Sequence, residues 1–332
     1  MTYSSGSLIQ ASDYNTFVGN TTAGLNRVWS TGAGDAGWGQ PTISTASTGG
    51  TVAATQWASL VNNLSSSGSQ SNTTVTTRTA PTTGTTIGIL ANVATNITSI
   101  TTNRGNAAAS GTEYGVFTGN VSKTTATGNL YNAWQINWTH TITFPSADQA
   151  RYFWNAGGIV RIKYGKSSTG TDCDPDWNTF VGQCGTINIT GRVNDTSQTI
   201  AGQAYTGTTR LGGTGGTQTT LATTTGWYNL TGVATTMFQL NNATDPYTGE
   251  YIFTLASVNV AGTVLTLQSR FLSDGLPFGP GRTGDISGGT ATTSPSTTIT
   301  GTAPTVLVTY IPPSTTYLTN TWGTPAIAAS VA

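Results

Sequence analysis

Residues 136–144 read "INWTHTITF", and the alternation in them is unbroken. Trp138, His140, Ile142 and Phe144 fall on one side, with Asn137, Thr139, Thr141 and Thr143 on the other. Successive side chains of a strand point to opposite faces, so this pattern predicts a half-buried β-strand. "IVRIKYG" (159–165) repeats it, with Val160, Ile162 and Tyr164 opposite Arg161 and Lys163, and "TINITGRV" (186–193) does so again. Further candidates are "GWYNLTG" (226–232), "TMFQLN" (236–241) and "TVLVTYI" (305–311). Another pair is "YIFTLASVNV" (251–260), joined through Ala261-Gly262 to "TVLTLQSRF" (263–271). From about residue 111 onward the chain therefore reads as mainly β, and its Gly and Pro punctuation predicts an antiparallel β-sandwich.

The start of the chain follows a different period. In "ASDYNTFVGNTTAGLNRVW" (11–29), Tyr14, Phe17, Val18, Leu25 and Val28 take helical spacing, with Ser12 as N-cap. "STGAGDAGWGQP" breaks that helix, and "AATQWASLVNNL" begins a second with Trp57, Leu60, Val61 and Leu64 on one face. "SSSGSQSNTT" reads as a linker. In residues 87–104, Leu90, Val93, Ile97 and Ile100 predict a short helix that packs on a partner, a second copy among the candidates. The expected organisation is a helical attachment region over 1–70, a linker and short helix over 71–110, a β-rich domain with a capped helix over 111–200, and more β structure over 201–332. The whole is α+β with a small N-terminal helical part.

The segment "FPSADQARYFWNAGGIVRIKYG" (144–165) sets Tyr152, Phe153 and Trp154 side by side. Ser146 followed by Gln149 forms a capping box, so Ala147 to Trp154 is expected to be helical. Asn155-Ala156-Gly157-Gly158 supplies a left-handed stop. Phe153 and Trp154 then pin the helix to a sheet, and packing is preferred over a carbohydrate-stacking platform because large aromatics are usually buried.

Composition narrows the chemistry. Only 7% of the 332 residues are charged, with 12 Lys+Arg against 12 Asp+Glu, so the basic footprint of a nucleic-acid binder is missing. No apolar run reaches the length of a membrane helix, and "MTYSSGSLIQ" lacks the basic start and apolar centre of a secretory signal, so any exit from a cell is expected by lysis. His140 is the single histidine and lies on the apolar face of its strand, which fits a core residue better than a catalytic base. Asp172, Asp174 and Asp176 alternate near Cys173 and Cys184. Alternating carboxylates suit Ca²⁺, but the rest of a calcium loop is absent and Pro175 interrupts it, so a solvated turn is the plainer reading. The two cysteines are close enough to pair, and the sequence leaves that open. Glu113 and Glu250 are the two glutamates, and no acidic pair with an aromatic setting suggests glycoside hydrolysis. No enzyme activity, catalytic residue, cofactor or metal is expected.

"ARYFWNAGGIVRI" (150–162) resembles a segment of tailed-bacteriophage virion proteins, written in that family as ARYFFNAGG before a strand, with Trp154 here in place of Phe. "DPDWNTFVGQCGTINI" (174–189) is similar to the continuation, and "ASDYN", "GAGDAGWGQ" and "VAATQWASLVNNL" are similar to the opening helix, turn and second helix. "SSGSQS" stands where the family carries His-Gln, and towards the C-terminus only "NTWGTP" (320–325) looks familiar. The resemblance implies a virion structural protein of tail, baseplate or fibre, with other virion proteins as partners, homo-oligomeric and located in the virion. The charge balance and hydropathy add the expectation of no nucleic-acid binding and no membrane insertion. A capsid fibre or decoration protein is the near alternative. So is a receptor-binding adhesin that stacks host glycans on exposed aromatics such as Trp227-Tyr228.

Overall fold

Residues with uninterrupted alternation form the longest strands. The computed structural model describes residues 10–84, 92–108, 113, 121–122, 127–128, 134–166, 174–191, 197–213, 218–241, 250–273 and 302–332. Along the chain the strands are β1 (Val121–Ser122), β2 (Thr127–Gly128), β3 (Trp134–Thr143), β4 (Ile159–Gly165), β5 (Thr186–Ile189), β6 (Gln198–Ile200) and β7 (Gln203–Tyr205). They continue as β8 (Thr208–Leu211), β9 (Gln218–Leu221), β10 (Thr235–Asn241), β11 (Glu250–Val258), β12 (Val264–Ser273), β13 (Thr305–Ile311) and β14 (Ala326–Val331). One sheet runs β14-β3-β12-β11-β10-β9, with β2 also on β3; a second runs β1-β13-β4-β5-β8, and β6-β7 is a separate hairpin. Every pairing is antiparallel.

The two sheets face each other, as the alternation requires. Trp138, His140 and Ile142 of β3 and Val160, Ile162 and Tyr164 of β4 are all buried. Tyr164 stacks on Phe238 at 5.9 Å and meets Phe271 edge-on at 6.1 Å, which joins β4 to β10 and β12 across the sandwich. Its hydroxyl shares a hydrogen bond with Thr254 Oγ1 (2.6 Å), and Thr254 shares one with Ser269 Oγ (2.7 Å). The buried hydroxyls thus satisfy one another in the dry interior. "GWYNLTG" is not a strand: Trp227–Asn229 is a single 3-10 turn. Its backbone is taken up by the end of β5, with Trp227 N donating to Thr190 O (3.0 Å) and Tyr228 N to Gly191 O (3.3 Å).

The helices depart further from the spacing. Residues 11–29 form two helices, α1 (Ala11–Val18) and α2 (Asn26–Trp29), and the residue before α1 is Gln10, so Ser12 is not its cap. The chain folds back between them, bringing Leu25 N onto Phe17 O at 2.8 Å. Gly24 approaches Gly19 so closely that a Cβ on Gly24 would lie 2.1 Å from Gly19 O. Tyr14 and Leu25 are separated by close to three helical turns, so their spacing mimics a continuous helix. The expected linker is helical as well: α3 runs Ala54–Gln70 and buries Ser67, Gly68 and Gln70. Its small residues admit the following segment, since a Cβ on Gly68 would stand 2.7 Å from Val75 Cγ1. The short helix is α4 (Val93–Asn103), which buries Val93, Ile97 and Ile100 against α1, α2 and α3 of the same chain rather than a second copy. Leu90 lies outside the described residues. The remaining helices are α5 (Ala147–Asn155) and α6 (Asp174–Cys184). Among the described residues no helix is long and apolar enough to cross a membrane.

Candidate functional site

Helix α5 begins as its sequence predicts. Ser146 Oγ accepts from Gln149 N at 3.1 Å and meets the Gln149 side chain at 3.2 Å. Phe153 and Trp154 are fully buried. Trp154 stacks on Trp227 (5.3 Å between centroids), and Phe144 packs against Phe153, Trp154 and Trp227. The stop is made by Gly157 at φ +101°, where a Cβ would lie 2.1 Å from Ala107 Cβ. At Gly158 a Cβ would run into the Phe153 ring at 2.3 Å. The aromatic run is packing, and Trp227, proposed for an exposed glycan platform, is in the same core; Tyr228 is half-buried.

The end of α5 is also where distant parts of the chain meet. Asn155 Nδ2 donates to Gly34 O (3.2 Å) and Gly37 O (3.1 Å), and its backbone carbonyl accepts from Trp38 Nε1 (3.1 Å), 117 residues away. Arg151 Nη1 donates to Ala36 O at 2.8 Å. Tyr228 closes the ring, its hydroxyl sharing its one proton between Gly34 O (3.1 Å) and the nearer Asn155 Oδ1. Burial pushes that hydroxyl well above its ordinary pKa, so it remains a donor. Gln40 continues the network: its amide nitrogen donates to Trp38 O (3.1 Å) and Thr319 O (3.0 Å), and its oxygen accepts from Thr319 N (2.9 Å). Gln70 Nε2 donates to Ala156 O (3.0 Å). Arg104 Nη2 pairs with Asp35 Oδ2 at 2.6 Å, fixing the glycine-rich loop to the end of α4. None of these polar anchors stood out in the sequence. The one signal pointing to them was the loop of glycines and Gln40 before Pro41.

The other candidates disperse. His140 is buried between the sheets, and burial lowers its pKa to about 4 against a smaller raising effect from the Val306 backbone. Glu250 is buried at the inward-facing start of β11. Glu113 lies elsewhere, on β4 and β13: its carboxylate pairs with Arg161 (2.9 Å) and Lys163 (3.4 Å) and accepts from Thr309 Oγ1. Burial raises its pKa, but the Thr309 hydrogen bond and the two cations outweigh that and hold it below the usual carboxylate value. Arg161, which also donates to Asn188 Oδ1 (3.0 Å), is therefore tied down rather than idle on the strand's polar face. Cys184 is a free, buried thiol whose pKa burial pushes up. Asp172 and Cys173 lie outside the described residues; Asp174 and Asp176 fall in the first turns of α6. Among the described residues, no three His, Cys, Asp or Glu side chains gather as a metal site would need.

No protein-family model, no curated protein and no solved structure matches the chain. The geometry around Asn155 is a largely buried polar joint whose groups are mostly paired, with Gln70 Oε1 a buried acceptor that has no partner among the described residues. It holds segments together and offers no nucleophile beside a base.

Proposed function

We propose that this chain is a structural subunit of a tailed-bacteriophage virion, of tail, baseplate or fibre, and not an enzyme. The observation that carries this reading is the convergence of the segments in which the resemblance lies. "GAGDAGWGQ", "ARYFWNAGG" and "NTWGTP" are far apart in sequence, yet Trp38, Asn155, Gln40, Thr319 and Thr321 are joined by direct hydrogen bonds. Motifs retained for a shared architecture meet in this way, whereas unrelated chance matches have no reason to share one joint. The near absence of charge suits a subunit held among neighbours better than one that relies on net charge for solubility. Trp227, one of the aromatics that the adhesin reading would place on the surface, instead stacks on Trp154 inside the protein, which favours the structural reading.

Particles purified from a lysate, probed with antibody to this chain by immunogold microscopy and by quantitative mass spectrometry, test the reading. The expected result is label at a fixed place on the particle and a fixed copy number. A chain abundant in the lysate and absent from purified particles would overturn it.

A further inference from the structure

Strand β14 forms one edge of the larger sheet, and nothing in its sequence protects that edge. Natural edge strands are usually blunted by charge, proline, bulges or a covering segment. "AIAASV" contains no charge, proline or glycine, and it pairs with β3 through an unshifted register from Ala326↔Thr143 to Val331↔Trp138. None of its residues is buried: Ala326, Ala328 and Ser330 are exposed, and Ile327, Ala329 and Val331 are half-buried. The edge of the smaller sheet, β1, comes near β14 without pairing with it.

The hydrogen-bond parity of this strand is fixed. Ala332 N donates to Asn137 O (2.8 Å) and Asn137 N to Ala332 O (3.0 Å). In an antiparallel ladder such doubly bonded pairs alternate with unbonded ones. Ser330, Ala328 and Ala326 therefore turn their backbone groups toward β3, and Ile327, Ala329 and Val331 turn theirs outward. Among the described residues no backbone hydrogen bond is made by those three outward-facing positions besides the ladder.

We propose that β14 pairs with β14 of a second copy of this chain, antiparallel about a two-fold axis at Ala329. Parity limits the register to those in which outward-bonding residues face each other, and of these the one centred on Ala329 engages all three outward positions: Ala329 meets Ala329, Ile327 meets Val331, and Ala328 lies opposite Ser330. In that register the side chains across the axis are small and uncharged, so self-pairing brings no like charges together. Ile327 and Val331 meet on the side that Ile142 and Trp138 occupy in β3, extending the apolar layer across the junction. A two-fold contact closes at two copies and leaves no further edge at this strand. The inference identifies one interface within the oligomeric role proposed above, yet it is measured on the purified chain, so the two fail separately.

Light scattering coupled to size exclusion, on the full chain at tens of micromolar, should give twice 34.1 kDa. Ala329→Pro removes an outward N–H that only the copy would use, a position where an edge strand tolerates proline. Ala328→Lys places two like charges beside the axis on the exposed face. Both variants should run as monomers, with Ala328→Lys still melting cooperatively and keeping the wild-type circular dichroism spectrum, losing only the concentration-dependent part of the melting temperature, whether or not the proline is tolerated. A monomeric or higher-order wild type, or a dimer that survives Ala328→Lys, would overturn the proposal.

Discussion

Trp154 has neighbours on all sides, and its truncation tests the packing reading directly. Trp154→Ala should cost about 3–5 kcal/mol, the range for removing a buried aromatic, and should appear as a lowered thermal midpoint. Gly157→Val should be as damaging, because the position combines φ +101° with the Ala107 side chain at 2.1 Å from any added Cβ. A glycan platform would instead leave the melt of Trp154→Ala unchanged. His140 supplies a pH dependence of definite sign. Its folded pKa of about 4 lies below the ordinary 6.5, so the folded state favours the neutral ring. That contribution is complete above pH 6.5 and is lost as pH falls from 6.5 towards 4, by about 3 kcal/mol in all. Melts across this window should fall more steeply for wild type than for His140→Gln, and parallel slopes would refute the assignment.

Helix α3 shows what composition conceals. If Ser65–Gln70 were a linker, Gly68→Val and Ser65→Ala would both be silent. In a packed helix they diverge: Gly68→Val crowds Val75 and should cost about 1–3 kcal/mol. Ser65→Ala, on the exposed side, should be neutral or slightly stabilising because alanine is the better helix former. Urea midpoints of the two variants decide it. The elements legible in the sequence were those whose cause is local. Alternation predicted β3 and β4, and the Ser146 cap with the Gly157 stop predicted α5. The fold-back at Gly19 and Gly24 was hidden because an interrupted helix resumed in phase. The serines of α3 looked flexible because small size serves close packing and loops alike. The Asn155 joint was illegible for another reason: a single amide facing a loop 117 residues away leaves no periodic trace. Strand order was equally hidden, since β14 differs little from a tail until β3 is beside it.

At the scale of the whole molecule, the helical region and the sheets share one apolar core that includes Phe17, Trp38, Trp57, Trp154 and Trp322. Removing residues 1–70 would strip the partners from Asn155 Nδ2 and from the carbonyls of Asn155 and Ala156, each orphaned buried group costing about 1–3 kcal/mol, and would remove several core aromatics besides. Against a net stability of about 5–15 kcal/mol for a typical domain, the truncated chain should fail to fold cooperatively. Circular dichroism and a thermal scan would show a soluble, sharply melting fragment if this is wrong. The pairing of β3 has a consequence in time. Its neighbours are β12 along its whole length on one side and, on the other, β14 beside residues 138–143 and β2 beside residues 134 and 135. Of these, β12 and β14 lie far downstream, at residues 264–273 and 326–331. At roughly 5–20 residues per second on the ribosome, β14 emerges roughly 10–40 s after β3. Throughout that interval a strand carrying Trp138 and Ile142 waits with at least one edge open. Synthesis is then the stage at which this protein is most vulnerable to pairing with the wrong chain, and a chaperone that shields extended apolar segments would matter more to its yield than to the stability of the finished fold.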